Sequence, residues 1–100
     1  MELYKLTAHE LHDKLVAREV SATEITAAVF ERIDSVEDRV KAFITETRDL
    51  AMSQAKAVDA KIAQGGAVAS LAGIPGALKD NICVKGARTT CASKILANFI

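Results

Sequence analysis

The chain is best interpreted from one stretch, Leu71-Ala72-Gly73-Ile74-Pro75-Gly76-Ala77-Leu78-Lys79-Asp80-Asn81. Gly73 and Pro75 predict a turn, because glycine tolerates left-handed backbone angles and proline fixes its own φ. The apolar residues that follow predict a short strand over 77–79. The stretch therefore places a lysine, Lys79, beside an aspartate, Asp80, at the end of a strand.

The position of Lys79 at the end of a predicted strand allows two interpretations of its role. Neighbouring side chains in a strand point to opposite faces, so Lys79 points into protein if helices cover both faces of the sheet. Burial favours the neutral form of a lysine amine, which proteins use as a general base or a nucleophile. Alternatively, Lys79 forms an ion pair with Asp80 or another acid at an exposed strand end. The residues alone favour the ion pair.

Two amphipathic helices are predicted near the start of the chain. Each follows a capping box, in which a hydroxyl and a glutamate three residues later satisfy each other's backbone N–H groups. The boxes are Thr7-Ala8-His9-Glu10 and Ser21-Ala22-Thr23-Glu24. Apolar residues at helical spacing then predict helices over about 8–18 and about 22–36.

A strand and a third helix are predicted next. The β-branched and aromatic run Val40–Thr45 predicts a short strand. An alanine-rich segment predicts a helix over about 48–64, with Thr47 as its N-cap and Gly65 after its last turn. A further short helix is predicted to begin at Ser93.

Composition narrows the possible classes of protein. The 100 residues carry 13 basic and 13 acidic side chains, so the chain lacks the positive charge of a protein that binds nucleic acid directly. It has no apolar run of about 18 residues and no signal peptide. Two cysteines, Cys83 and Cys91, indicate cytosolic thiols rather than a disulfide framework. His9 and His12 lack a third ligand, so no metal site is predicted.

The second half of the sequence resembles the amidase signature family. The matching residues are Gly73-Ile74-Pro75-Gly76-Ala77-Leu78-Lys79-Asp80-Asn81-Ile82, Lys85-Gly86, Thr89-Thr90-Cys91-Ala92-Ser93-Lys94-Ile95-Leu96 and Asn98-Phe99. Within the family, the chain is most similar to the glutamine-hydrolysing subunits of tRNA-dependent amidotransferases. The order of helices upstream agrees, so the resemblance covers nearly the whole chain. One departure is Ala77, where larger β-branched residues are common in the family.

The resemblance implies a fold and a site. It implies an α/β fold in which about three helices pack on the first short strands of a mixed sheet, with residues 1–100 forming the N-terminal part of a single amidase domain. The family uses a Ser–cis-Ser–Lys triad, and Lys79 matches the lysine that relays the proton. Both serines would follow Ile100, so we expect the 100 residues alone to be inactive. We also expect them to associate with a second copy through their apolar faces.

The resemblance also implies partners. The family member would act in the cytoplasm in a three-subunit complex with subunits B and C. It would hydrolyse glutamine to supply ammonia for mischarged tRNA, and one of those partners would use ATP and Mg²⁺. No cofactor or metal is expected on this segment itself. Two alternatives stay open: another amide hydrolase of the same family, or a non-catalytic helical interaction module in which Lys79 is a surface residue.

Overall fold

Helices form the first part of the molecule. The computed structural model describes residues 2–100, and its α-helices are α1, Ala8–Val16, α2, Ala22–Val40, and α3, Arg48–Ala63. A 3₁₀-helical turn, Leu3–Lys5, precedes α1. The three predicted helices are confirmed. None of the described helices has the length and hydrophobicity that crossing a membrane requires.

The starts of α1 and α2 follow the predicted capping boxes. The Thr7 hydroxyl accepts the N–H of Glu10 at 3.1 Å, and the Ser21 hydroxyl accepts the N–H of Glu24 at 3.0 Å. In both boxes the glutamate side chain accepts the N–H of the N-cap residue. Thr47 is the N-cap residue of α3, as predicted, but its side chain makes no capping hydrogen bond, and its ψ of 60° differs from the 160° of Ser21.

The strand predicted over Val40–Thr45 does not form. Instead α2 continues to Val40 and ends at Lys41, which takes a left-handed φ of 51°. The carboxylate of Glu37 accepts the N–H groups of Ala42 and Phe43 at 2.7 and 2.8 Å. The helix end therefore uses the donors that a strand would have offered to a neighbouring strand.

The strand predicted over 77–79 is also not formed, and no residue between 2 and 100 lies in a β-strand. A strand requires hydrogen bonds to a neighbouring strand. The N–H groups of 77–79 donate to no described backbone carbonyl. The helical part of the predicted α/β fold is therefore observed, without its sheet.

The region after Ser93 forms successive turns rather than the predicted helix, although the Ser93 hydroxyl accepts the N–H of Ile95 at 3.3 Å.

The hydrophobic core lies between the three helices. Its buried apolar residues are Leu11, Leu15, Ala22, Ile25 and Ala55. Leu15 and Ile25 are 1% and 0% exposed. Partly buried side chains surround this core, and the last of them along the chain is Ile74. The segment that contains Lys79 therefore leaves the core directly after Ile74.

In addition to the hydrophobic core, polar contacts join α3 to α2. The carboxylate of Asp59 in α3 accepts the N–H groups of Ala22 and Thr23 at 2.7 and 3.0 Å and the Thr23 hydroxyl at 2.6 Å. We call this set the Asp59 cluster. Partial burial raises the pKa of Asp59, but these three donors outweigh burial and the pKa lies below its ordinary value. The cluster joins α3 to the first turn of α2, where a negative charge is also favourable.

Candidate functional site

Gly73 places the Lys79 segment against the helices. The predicted turn is present: the N–H of Ile74 donates to the carbonyl of Leu71 at 3.2 Å. Gly73 has a φ of +76°, and a Cβ on it would lie 3.0 Å from Cβ of Ala22 and 3.3 Å from Cδ1 of Leu15. Both the backbone angle and the close approach therefore require glycine at this position.

Lys79 lies on the wall of an open groove of about 930 Å³. We call it the apolar groove. Hydrophobic side chains from α2, α3 and the loops after them form most of its walls, including Val29, Phe30, Ile33, Leu50, Ala51, Val58, Leu71, Leu78 and Ile82. Several remain well exposed, with Leu71 at 72% and Leu78 at 64%. A single monomer seldom leaves such a continuous apolar surface open without a use for it.

The structure agrees with neither environment proposed for Lys79. Its side chain is exposed, so the buried amine that a covered sheet would give is not observed in residues 2–100. The sheet and the covering elements that would bury it are not present among these residues. The alternative ion pair with Asp80 does not form either, and no described carboxylate forms an ion pair with Lys79.

Asp80 does not pair with Lys79 because other donors occupy its carboxylate. The N–H of Thr90 donates to Oδ1 at 3.0 Å, the N–H of Ala92 donates to Oδ2 at 3.5 Å, and the Thr90 hydroxyl also donates to Oδ2. The carbonyl of Asp80 accepts the N–H of Cys91 at 2.9 Å. We call these four residues the Asp80 cluster. The Thr90 hydroxyl, followed by the N–H of Thr90, holds the pKa of Asp80 below its ordinary value.

The loop that surrounds Asp80 has an unusual backbone. Cys91 and Ala92 have φ values of 50° and 57°, which non-glycine residues rarely adopt. Thr89 and Thr90 are only 5% and 3% exposed. The Thr89 N–H donates to the carbonyl of Phe99 at 2.9 Å, which closes this loop. Sequence analysis missed the Asp80 cluster, because Asp80 and Thr90 are ten residues apart and no periodic pattern connects them.

The remaining candidates do not assemble into a site. His9 lies against Asp13, with 3.5 Å between Nε2 and Oδ2. Cys83 and Cys91 are both exposed free thiols. Across residues 2–100, no three histidine, cysteine, aspartate or glutamate side chains group closely enough to hold a metal ion. Lys79, the apolar groove and the Asp80 cluster are thus the features that a function must explain.

Comparison with known proteins assigns the chain to a family. The profile of the family described as Amidase matches residues 24–100. The chain belongs to the amidase family. The match includes the Lys79 segment, the Asp80 cluster and all of α3. No solved structure gives a significant match.

Similar proteins are known from several bacteria, and each is the A subunit of a glutamyl-tRNA(Gln) amidotransferase. The chain is 56% identical to that of Desulforamulus reducens, 57% to that of Heliobacterium modesticaldum and 55% to that of Geobacter sulfurreducens. Each alignment covers 100% of this chain and 20% or 21% of the relative. The chain therefore spans about a fifth of the length of the curated relatives it matches.

Proposed function

We propose that residues 1–100 are the N-terminal segment of the A subunit in a tRNA-dependent amidotransferase that acts on Glu-tRNA(Gln) or Asp-tRNA(Asn). The observation that carries this proposal is identity of 55–57% over the full chain to three such amidotransferase subunits. In the whole protein the segment forms the beginning of a single amidase domain. The function is carried over from relatives about five times longer, so the activity belongs to that longer protein.

In this proposal Lys79 relays a proton in a Ser–cis-Ser–Lys triad. The nucleophilic serine attacks the side-chain amide carbon of glutamine and gives its proton through the cis-serine to the amine of Lys79. Backbone N–H groups stabilise the oxyanion. The protonated lysine returns the proton to the departing nitrogen, which leaves as ammonia. Water then releases glutamate from the acyl-enzyme. The Lys79 amine forms no ion pair with a described carboxylate, which leaves it available for this role.

The apolar groove supports an α/β domain in the whole protein. Phe43, Ile44 and Leu78 are 41%, 51% and 64% exposed, and they belong to the two segments predicted as strands. We expect both segments to pair with strands from the remainder of the domain, which would cover the groove and bury Lys79. Burial would then favour the neutral amine that a proton relay requires.

The partners follow from the same proposal. Subunits B and C complete a cytoplasmic complex, glutamine supplies the ammonia, and one of these partners binds ATP, Mg²⁺ and the mischarged tRNA. This segment needs no cofactor or metal for its part of the reaction. Without the serine loop, the 100 residues alone would have no amidase activity, since a triad without its nucleophile loses the covalent route.

Substitution of Lys79 in the full-length complex tests the proposal. We expect Lys79→Ala to lower glutamine hydrolysis by at least about 10³-fold, as removal of triad members does in other hydrolases. The complex should stay folded, because the Lys79 side chain makes no hydrogen bond or ion pair with the described residues. Lys85→Ala, which removes a lysine that has no role in the proposed reaction, is the matched control and should retain activity.

Two outcomes would contradict the proposal. Glutamine hydrolysis that survives Lys79→Ala would exclude the proton-relay role. A wild-type protein that hydrolyses simple amides but not glutamine would instead identify it as another amide hydrolase of the amidase family.

A further inference from the structure

We propose that Asp80 is a positioning residue for Lys79. In this inference the Asp80 carboxylate joins the Lys79 segment to the loop Thr89–Ser93 and thereby fixes the place of the Lys79 amine in the apolar groove. The inference rests on the proposed function, because it assumes that Lys79 takes part in the reaction.

The first step concerns what holds Lys79 in place. Lys79 lies outside the helices, and its side chain makes no hydrogen bond or ion pair with any residue from 2 to 100. Its own carbonyl accepts the N–H of Ile82 at 3.0 Å. The other hydrogen bonds of residues 77–82 all involve Asp80, which is bonded both through its carboxylate and through its carbonyl. The position of the Lys79 backbone therefore depends on the Asp80 cluster.

The second step concerns the loop itself. The left-handed angles of Cys91 and Ala92 turn successive N–H groups toward Asp80, in the manner of a backbone anion nest. Non-glycine residues keep such angles only when their surroundings hold them there. The negative carboxylate supplies that constraint. Its removal would free the loop and the Lys79 segment together.

The third step separates a positioning role from a purely structural one. The Asp59 cluster has nearly the same composition, since a carboxylate accepts two N–H groups and a threonine hydroxyl in both. Asp59, however, joins two helices and does not line the apolar groove. It therefore provides a control of matched chemistry at a residue that does not line the apolar groove.

The experiment uses the full-length complex and measures kcat and KM for glutamine hydrolysis. We expect Asp80→Ala to lower kcat by about 10²-fold, the usual effect of misplacing a catalytic group by about 1 Å. KM should change by no more than about twofold, because Asp80 makes no contact with substrate in this proposal and ground-state binding is retained. Asp59→Ala should leave kcat unchanged when it is assayed well below its melting temperature.

Thr90 provides a second and smaller perturbation. Thr90→Val removes only the hydroxyl that donates to Asp80, and we expect a loss in kcat of about tenfold, equivalent to one hydrogen bond of about 1.4 kcal/mol. Thr90→Ser keeps the hydroxyl and should restore kcat to the wild-type value. This pair decides the question even if Asp80→Ala fails to fold.

The outcomes distinguish this inference from the proposed function. Activity that survives Lys79→Ala overturns the proposed function, and the inference with it. If Lys79→Ala is inactive, the inference alone is overturned by any of three results: wild-type kcat in Asp80→Ala, equal losses of kcat in Asp80→Ala and Asp59→Ala, or equal kcat in Thr90→Val and Thr90→Ser.

Discussion

The Asp59 and Asp80 clusters hold two very different regions together. The Asp59 cluster supports a region that already has a hydrophobic core, since all five buried apolar residues lie in α1, α2 and α3. The Asp80 cluster supports a region in which the buried residues are Thr89 and Thr90. Similar polar chemistry therefore supplements a hydrophobic core in one region, whereas in the other it acts together with further hydrogen bonds and without a buried apolar side chain.

This difference separates stability from function. The helical region can be stable through burial of apolar side chains, which is non-directional and does not require exact positions. The region around Lys79 depends on a few directional bonds, which define a position accurately but contribute little net free energy each. Functional residues are often found on loops that a rigid scaffold holds in place. Here Gly73 connects that scaffold to the loop.

The largest change in the free energy of unfolding is expected when a core side chain is truncated, which tests the difference between the two regions. Leu15→Ala should lower the free energy of unfolding by about 2–5 kcal/mol, because it removes buried methyl groups and leaves a cavity. In the 100-residue segment, Leu78→Ala, the same change at a side chain that is 64% exposed, should alter the free energy of unfolding by less than about 0.5 kcal/mol. Urea unfolding followed by far-ultraviolet circular dichroism measures both. Equal losses would show that the two regions share one core.

An intermediate effect is expected from the two carboxylates. Asp59→Ala should lower the free energy of unfolding by about 1–3 kcal/mol, since it leaves donors at the start of α2 without their charged acceptor. Asp80→Ala should leave the helical unfolding midpoint unchanged but increase amide hydrogen exchange at Thr90 and Cys91. Slow exchange at both amides in Asp80→Ala would contradict the role given to the Asp80 cluster.

The smallest effect concerns the end of α2. Lys41→Gly should raise the free energy of unfolding by about 0.5–1 kcal/mol, because glycine adopts the left-handed φ of 51° without steric cost. The same substitution at Lys56, an exposed position inside α3, should lower it by about 0.5–1 kcal/mol. Thermal unfolding of the two variants measures these opposite shifts. Destabilisation by both would mean that α2 does not end at Lys41 in solution.

The features that the sequence predicted correctly are local ones. The capping boxes at Thr7 and Ser21 and the turn at Gly73 involve residues within three positions of each other, so propensity and hydrogen-bonding chemistry determine them. The strand over 40–45 failed because Glu37 competes for its N–H groups from within α2. Strand propensity describes how well a residue fits into a sheet, and no sheet forms among residues 2–100.

The candidate site was predictable only in part. Lys79 was singled out from its place at a predicted strand end, and the family resemblance added its role. Its exposure depends on which elements surround it and cannot be read from neighbouring residues. Asp80 was recognised only as an ion-pair partner for Lys79. Its actual partner, Thr90, is ten residues away, and the loop that brings it back depends on left-handed angles at two non-glycine residues. Propensity argues against such angles, so tertiary bonds decide them.

The position of the core along the chain has a consequence for synthesis on the ribosome. Almost every residue that forms the core precedes residue 64, and Ile74 is the one later contributor named among its neighbours. Protein domains emerge from the N-terminus at about 5–20 residues per second. The helical region can thus fold before the Lys79 segment leaves the ribosome. The segment then meets a folded helical surface, against which Gly73 can pack.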